Sequence, residues 1–467
     1  MTEIHAFDPD GTPAPGAEAG VSAIMSATLD PQVASFIGAP TETATALDRV
    51  YRRGVSVLEY GAVGDGLTDD TIAIQAALDD ADLVTIPAGT YKIATLNITR
   101  SGVTLRGDGR GATTLLSTAG APLVSAVGPV GDFLRDIHLS DMTLAGNSAS
   151  NQVGVSLMRV RDSSISTVRA TTMGNNAINV FESRDVTVRD AEADRSRDFG
   201  ILVYQSEAVA VEGCHVHTML DAARAHLGVQ FKSSRRCRAM DNNIHDIAGY
   251  GIYTWTDGTQ PDEGHQIARN TIRSMTAGAF AGTGIYINLS ATVSVLDNNV
   301  TDCAGSGIAV AGAPEPIVRA NRVSGTGALP GIGVSGGTAR GSIAENHVTG
   351  YQQGIVLDAA SDVTVSKNKV LNLSAGASTL NAAIRVRNSS NRIIVEDNLC
   401  SDGRETPQMS RGIYQESGTG CEYRSNRCFG ATVADVTLVG SAVSVGNVAS
   451  AGPVTYSVGG SAAWPTP

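Results

Sequence analysis

Apolar residues along most of this chain come in short alternating runs, and two kinds of landmark open those runs at a steady interval. Asparagine stands two residues ahead of a small apolar residue at Asn242, Asn270, Asn298, Asn321, Asn346, Asn368, Asn398 and Asn426, in steps of 22 to 30 residues. A small residue followed by an apolar one forms a second series in phase with the first: Gly154-Val155, Ala177-Ile178, Gly200-Ile201, Gly228-Val229, Gly251-Ile252, Gly284-Ile285, Gly307-Ile308, Gly331-Ile332, Gly354-Ile355, Ala383-Ile384 and Gly412-Ile413. Alternation at period two reads as strand, and self-similarity at about 23 residues reads as a solenoid. Two landmarks per repeat predict one coil with several strands. Coils stacked about 4.8 Å apart pair each strand with its equivalent in the next coil, so identical side chains form ladders. An asparagine ladder at a turn satisfies backbone groups otherwise stranded there, and glycine permits a tight corner. The expectation is an all-β fold, a single-stranded right-handed parallel β-helix of at least ten coils over about residues 85–430.

Ahead of the coils the texture changes. Tyr60-Gly61-Ala62-Val63-Gly64-Asp65-Gly66-Leu67-Thr68-Asp69-Asp70-Thr71 leads into Ile72-Ala73-Ile74-Gln75-Ala76-Ala77-Leu78, then Ile86-Pro87-Ala88-Gly89-Thr90-Tyr91. The middle piece predicts an amphipathic helix over about residues 69–80, with acidic residues at the N-terminus where the macrodipole favours them. Such a helix caps the open end of a solenoid, hiding apolar side chains and unpaired edges. Asp65, Asp69 and Asp70 read as structural rather than catalytic. Over about residues 55–95 this pattern resembles the opening motif of the pectate-lyase-like β-helix superfamily, which includes bacteriophage tail spikes and polygalacturonase-like hydrolases.

Residues 1–53 are rich in Ala, Pro and Thr and lack the lattice. The stretch from Leu29-Asp30-Pro31-Gln32-Val33 through Thr41 to Asp48 resembles the leader of tail-associated spikes in phages of actinobacteria. That resemblance implies attachment to a phage tail or baseplate through residues 1–53, and a homotrimer. The expected organisation is a leader over 1–53, the β-helix with its capping helix over 54–430, and a C-terminal cap or oligomer contact over 431–467.

Composition narrows the partners. The 52 glycines against 8 phenylalanines and 2 tryptophans suit short strands and turns. A net charge of −12 argues against nucleic acid as a partner, though a local basic groove for an acidic glycan can coexist with it. No apolar run approaches a membrane span, so no membrane partner is expected, and the first residues lack the pattern of a secretory signal. The expected location is a virion tail or the extracellular space, reached without an N-terminal secretion signal. Of the six cysteines, Cys400 and Cys428 hold the inward place of Ile244, and Cys237 and Cys421 each lie five residues before a ladder asparagine. They read as free core thiols. No Cys/His spacing supports zinc, so no metal or cofactor is expected.

Extra length in a solenoid emerges as loops, often beside the binding face. One insertion covers Thr218 to His226, a second Thr256 to His265, with Thr276 to Gly282 beside it; they flank the coil that begins at Gly228. With the residue after each glycine inward, the next outward column reads Asn179, Leu202, Gln230, Tyr253, Tyr286, Ala309 and Gly333. Two residues on, the column reads Phe181, Tyr204, Lys232, Trp255, Asn288, Ala311 and Ser335. Large aromatic and polar groups reach to about residue 288 and small ones follow. Flat apolar faces beside hydrogen-bonding groups suit pyranose rings. Tyr204, His226, Gln230, Lys232, Tyr253, Trp255, Tyr286 and Asn288 are therefore expected to bind a polysaccharide or oligosaccharide. The alternative is that Tyr253 and Trp255 pack beneath the loops or against a neighbouring subunit.

Glycoside hydrolysis needs two carboxyl groups about 5 Å apart, or about 6.5–9.5 Å for inversion. The acidic residues around the platform are Glu182, Asp198, Glu207, Asp221, Asp257, Asp262 and Glu263, and a catalytic pair is expected among Asp198, Asp221, Asp257 and Glu263. Asp198 and His226 each lie two residues before their coil's glycine, so they are expected to adjoin on neighbouring coils, where a carboxylate beside a histidine suits acid–base work. Elimination needs a base and a cation for a uronate carboxylate; Arg224, Lys232, Arg235 and Arg236 crowd the same coil, and Gly228 to Ser234 resembles β-helix lyases of alginate and chondroitin. The NTD, GHG and RIK elements of polygalacturonases and the calcium-binding aspartates of pectate lyases are absent, so no catalytic residue carries over from those families. The expected function is binding and degrading polysaccharide as a tail-spike-like depolymerase, by hydrolysis before elimination. The alternatives are a cellular β-helix lyase or epimerase, and a non-catalytic spike or adhesin.

Overall fold

A computed structural model describes residues 54–148, 151–219, 226–374, 381–439, 442–449 and 455–457. The leader over 1–53 lies outside the described residues, as do Asp221 and Arg224. The described chain is a parallel β-solenoid whose coils carry three strands each. One face is a sheet of 15 parallel strands, from Leu96–Ile98 to Thr455–Ser457. The second and third faces lie on either side of the asparagine corner. Arg238–Met240 pairs with Gln266–Ala268 on the second, and Asn243–Ile247 with Thr271–Met275 on the third.

The inward column of the first face is β-branched: Val155, Ile178, Ile201, Val229, Ile252, Ile285, Ile308 and their successors are all buried. Such side chains are stiff and fit a pleated, buried surface. The glycine that precedes most of them, replaced by Ala177 and Ala383 on two coils, has a different task from the tight corner expected of it. A Cβ on Gly228 would lie 2.4 Å from the carbonyl oxygen of Gly251, and one on Gly251 would lie 2.6 Å from that of Gly284. The glycines are there for close approach between coils.

At the second-to-third corner the asparagines stack as expected. Each backbone N–H and each Nδ2 from Asn242 to Asn426 donates to the Oδ1 of the next asparagine, at 2.9 to 3.1 Å. Nδ2 also donates to a carbonyl of the coil before, such as Ala239 for Asn270 and Ile267 for Asn298. The corner's buried polar groups are thereby paired within the ladder. All six cysteines are free and buried, Cys400 directly beside Cys428.

Helix α1 (Thr71–Asp80) packs against Leu96–Ile98 at the bottom of the first face. There the Gln75 side chain stands in for a strand: its Nε2 donates to the Asn97 carbonyl and its Oε1 accepts the Asn97 N–H, both at 2.8 Å. The acidic residues are structural, as expected. Buried Asp70 accepts the N–H groups of Val63 and Gly64, and Asp65 those of Leu67 and Thr68. The coils do not end near residue 430. Strands Ala434–Val439, Ala442–Val445 and Val448–Ala449 continue the pairing, and Asn447 extends the ladder from Asn426.

Candidate functional site

The first face keeps the register read from the sequence. Asn179, Leu202, Gln230, Tyr253, Tyr286, Ala309 and Gly333 form one column, and Phe181, Tyr204, Lys232, Trp255, Asn288, Ala311 and Ser335 the next. The insertions sit at its two edges. Thr276 to Gly282 precedes the first-face strand Ile285–Asn288 at one edge, and Thr256 to His265 follows Gly249–Trp255 at the other; residues 220–225 of the remaining insertion lie outside the described residues. Loops thus wall the aromatic part of the face on both sides.

The aromatic rings form a connected surface. Tyr253 stacks on Trp255 (centroids 6.5 Å, planes 7° apart) and on Tyr286 (5.4 Å, 24°). Tyr253 Oη accepts a hydrogen bond from Asn288 Nδ2 at 3.2 Å. Burial raises the phenols of Tyr253 and Tyr286 and pushes that of Tyr250 up to about 12. Tyr250 is edge-on to Tyr286 and stacked on Phe280 of the inserted loop (4.5 Å, 17°). Sequence reasoning missed Tyr250 and Phe280. Tyr250 packs against the loop, and Tyr250, Tyr253 and Trp255 are all half-buried. Gln230 is buried beneath its neighbours.

Next to Trp255 stands a fixed charge pair. Lys232 Nζ lies 3.0 Å from Asp257 Oδ2, 4.7 Å from the Tyr204 ring centre and 5.0 Å from that of Trp255. Asp257 also accepts the hydroxyls of Tyr204 (3.1 Å), Ser233 (2.7 Å) and Thr259 (2.6 Å) and the Thr259 N–H (3.1 Å). These donors, Thr259 foremost, then Ser233 and Lys232, hold its carboxyl well below the usual carboxylate range. A carboxylate so surrounded favours its charged form.

The three acidic candidates among the described residues, Asp198, Asp257 and Glu263, do not converge on one spot. Asp198 precedes strand Phe199–Tyr204 at one edge; Asp257 and Glu263 follow Gly249–Trp255 at the other, two coils on. A strand of about 20 Å separates the edges. Pairings across the face are thus far too long for hydrolysis. Within one edge, Asp198 adjoins His226 as expected, since the Leu227 N–H donates to the Asp198 carbonyl at 3.3 Å. Buried His226 lines a cavity of about 300 Å³ with Met173, Arg195, Arg197 and Met219. Glu263 stands at the opposite corner, in register with Arg235. Glu207 is engaged by Arg184, Arg235 and Arg236, and Glu182 by Arg159. Asp262 is buried.

Farther up the first face, Ala309, Gly333 and Ser335 leave a hollow of about 200 Å³ with Ser306, Pro330 and Asp358. Beyond it Asp358 pairs with Arg387 at 2.6 Å and Glu416 with Arg385 at 2.5 Å, and Arg411 lies over Tyr414 at 4.6 Å. This charged block is hidden in the sequence by the small residues of the columns between Ala309 and Ser335; the column through Ala309 and Gly333 continues to Arg385 and Tyr414.

A pre-neck appendage protein of Bacillus phage B103 is 26% identical over 253 residues, 46% of this chain and 28% of that protein. A mannuronan C5-epimerase of Azotobacter vinelandii, AlgE6, is 33% identical over 110 residues, 20% of this chain and 13% of the epimerase. The chain thus spans less than a third of these relatives. Tailspike protein 3 of bacteriophage CBA120 superposes with a TM-score of 0.58 at 12% identity, over 93% of this chain and 73% of that one, a likeness of fold. The family model for the right-handed β-helix region matches residues 135–272 and 260–449, most of the coils described above, and the chain belongs to that family.

Proposed function

We propose that the first face binds an extended glycan and that the protein is a polysaccharide depolymerase of the tail-spike kind, cutting by hydrolysis. The observation that carries this reading is the half-buried stack of Trp255, Tyr253 and Tyr286 beside the Lys232–Asp257 pair, walled by loops and continuous with the hollow at Ala309 and Gly333. Stacked rings offer flat surfaces to successive sugars, and the hollow gives the chain a path along the helix axis. The phage appendage relative supports a place on a virion; the homotrimer and its attachment through residues 1–53 are part of the proposal.

Catalysis is assigned to Asp198, beside His226, with Asp221 of the adjoining insertion as its partner. Asp257 is assigned to holding Lys232 in place. Elimination on a uronate-containing glycan is the second reading, favoured by Lys232 between two rings and by the epimerase relative. The test is incubation with surface polysaccharides of candidate hosts, following reducing ends together with the ultraviolet absorbance of the unsaturated end that elimination leaves. Reducing ends alone, lost in Asp198→Asn, is the expected result. Both signals together replace hydrolysis by elimination. Binding with neither signal makes the protein an adhesin and overturns the enzymatic reading. Light scattering near 48.1 kDa, the mass of one chain, would overturn the trimer.

A further inference from the structure

Three of the chain's eight histidines meet on the outward side of the third face, around the corner from the platform. His215 and His217 alternate on strand His215–Met219; His245 stands beside His217 one coil on, and Glu192 and Asp194 stand beside His215 and His217 one coil back. The ring centres are 4.2, 4.9 and 5.2 Å apart. Nε2 of His215 faces Nε2 of His245 at 2.7 Å, and Nε2 of His217 lies 3.4 Å from Glu192 Oε1. One ligand atom each from Glu192, His215 and His217 fits within 4.8 Å of the others.

Behind two of the rings the other nitrogen is already held. His245 Nδ1 lies 2.8 Å from Asp246 Oδ2, an acceptor that keeps the proton on Nδ1 and leaves the Nε2 lone pair facing the cluster. His217 Nδ1 lies 2.7 Å from Thr218 Oγ1. Ligating histidines are oriented in this way by a carboxylate or hydroxyl behind the ring. Beside His215 on the next coil, the buried Oδ1 of Asn243 has no hydrogen-bond partner among the described residues, an acceptor suited to an ion-bound water.

We infer that this cluster binds a divalent transition ion of the zinc type, with His215, His217 and His245 as nitrogen ligands and Glu192 as the fourth. Two nitrogens about 2.1 Å from a tetrahedral ion stand about 3.4 Å apart, so the 2.7 Å pair opens by less than about 1 Å to admit one. Glu192 comes to the ion already facing Arg169 at 3.2 Å and Arg110 at 3.6 Å, which makes the imidazoles the stronger ligands. Imidazole-rich sets select zinc, copper, nickel or cobalt over magnesium and calcium. Cysteine spacing gave no hint of this site, because its ligands come from three coils and no cysteine takes part. Bound there, an ion ties together the coils of Glu192, His215 and His245 at the root of the insertion that starts at Thr218.

The experiment titrates the metal-free full chain with Zn²⁺ by calorimetry, and with Co²⁺ by visible absorption. One Zn²⁺ per chain and the intense bands of four-coordinate cobalt are expected, with no saturable heat from Mg²⁺. The joint change His217→Gln and His245→Gln should abolish both signals, while Trp255→Ala keeps them. Absence of saturable Zn²⁺ binding, or only the weak bands of six-coordinate cobalt, overturns the site. Equal zinc affinity in the folded double variant overturns the ligand assignment. The cobalt spectrum of the unaltered protein decides the case even where the double variant does not fold.

Discussion

The two polar corners of the coil follow the same logic with different fidelity. At the asparagine corner one residue type repeats from Asn242 to Asn447, and each step has the same hydrogen bonds. At the corner between the first and second faces, serine hydroxyls do the equivalent work. The N–H of Val160 donates to Ser183 Oγ, that of Ser183 to Ser206 and that of Ser206 to Ser234, at 3.0 to 3.2 Å. Then the series breaks. The next acceptor is Asp262, which takes the Ser234 N–H at 2.7 Å, and His265 holds the inward place that Cys237 and Val293 hold on the coils beside it. The Cys237 N–H donates to His265 Nδ1 at 3.2 Å, leaving the ring's proton on Nε2, 3.1 Å from Asp262. Ser290 Oγ donates to Asp262 and lies 2.7 Å from Thr254 Oγ1, directly between Tyr253 and Trp255 in the strand. The uniform corner holds the solenoid together; the serine corner gives way to Ala313 and Ala360 farther up, and its charged departure falls in the coil that carries the platform. A lattice exception of this kind points to function.

The largest effect expected from that comparison is at Asp262. Asp262→Ala strands the buried Ser234 N–H and takes the buried ion-pair partner from His265, and should cost about 3–5 kcal/mol, read as a fall in denaturant midpoint. A loss below about 1 kcal/mol would mean that the pair is dispensable to its coil. Next comes Asn298→Ala at the uniform corner, expected to cost about 3 kcal/mol because the Asn270 N–H and the Ile267 carbonyl both lose their partner. The same change at Asn346 should cost the same within about 0.5 kcal/mol, since its bonds are the same. Unequal losses would show that the ladder is less uniform in energy than in geometry.

What could be read from the sequence follows the same division. The asparagine ladder was legible because each asparagine is followed at a fixed offset by an apolar residue, so that period and phase agree. The outward columns of the first face were legible for the same reason, down to the neighbours of Trp255. The serine corner was not, since serine is common in loops and Asp262 interrupts the run. Phe280 was out of reach because an insertion has no place in the lattice. The state of Asp257 depends on donors from the coils of Tyr204 and Lys232 as well as its own loop, which no local pattern records. The histidine cluster needed the coils written in register, which places His245 beside His217 across 28 residues.

Trp255→Ala should act on binding more than on folding. The residue is half-buried and outward, so its truncation should cost less stability than either corner change while weakening glycan binding by about 1–2 kcal/mol, roughly tenfold in Kd. Calorimetric titration with an oligosaccharide of the bound glycan checks this. A fall in melting temperature or a change of oligomeric state with unaltered affinity would give Trp255 to packing instead.

The smallest change in stability, and the sharpest test of the comparison, comes from restoring the lattice. Replacing Asp262→Ser together with His265→Val gives the platform coil the residue types of its neighbours, Ser234 with Cys237 below and Ser290 with Val293 above. The serine hydroxyl still accepts the Ser234 N–H, and valine leaves the Cys237 N–H as the one buried donor to lose its acceptor, a cost of about 1 kcal/mol. Exchanging a buried polar pair for a packed apolar one is often neutral or stabilising. The double variant should therefore keep its melting temperature, with a net change below about 1 kcal/mol, although Asp262→Ala alone is severe. What it should lose is glycan affinity, because the shorter side chain no longer reaches Ser290 and so no longer braces Thr254 under the rings of Tyr253 and Trp255. If the double variant is as unstable as Asp262→Ala, the pair belongs to the architecture of the solenoid. If stability and glycan affinity both survive intact, the exception in the lattice has no bearing on the site.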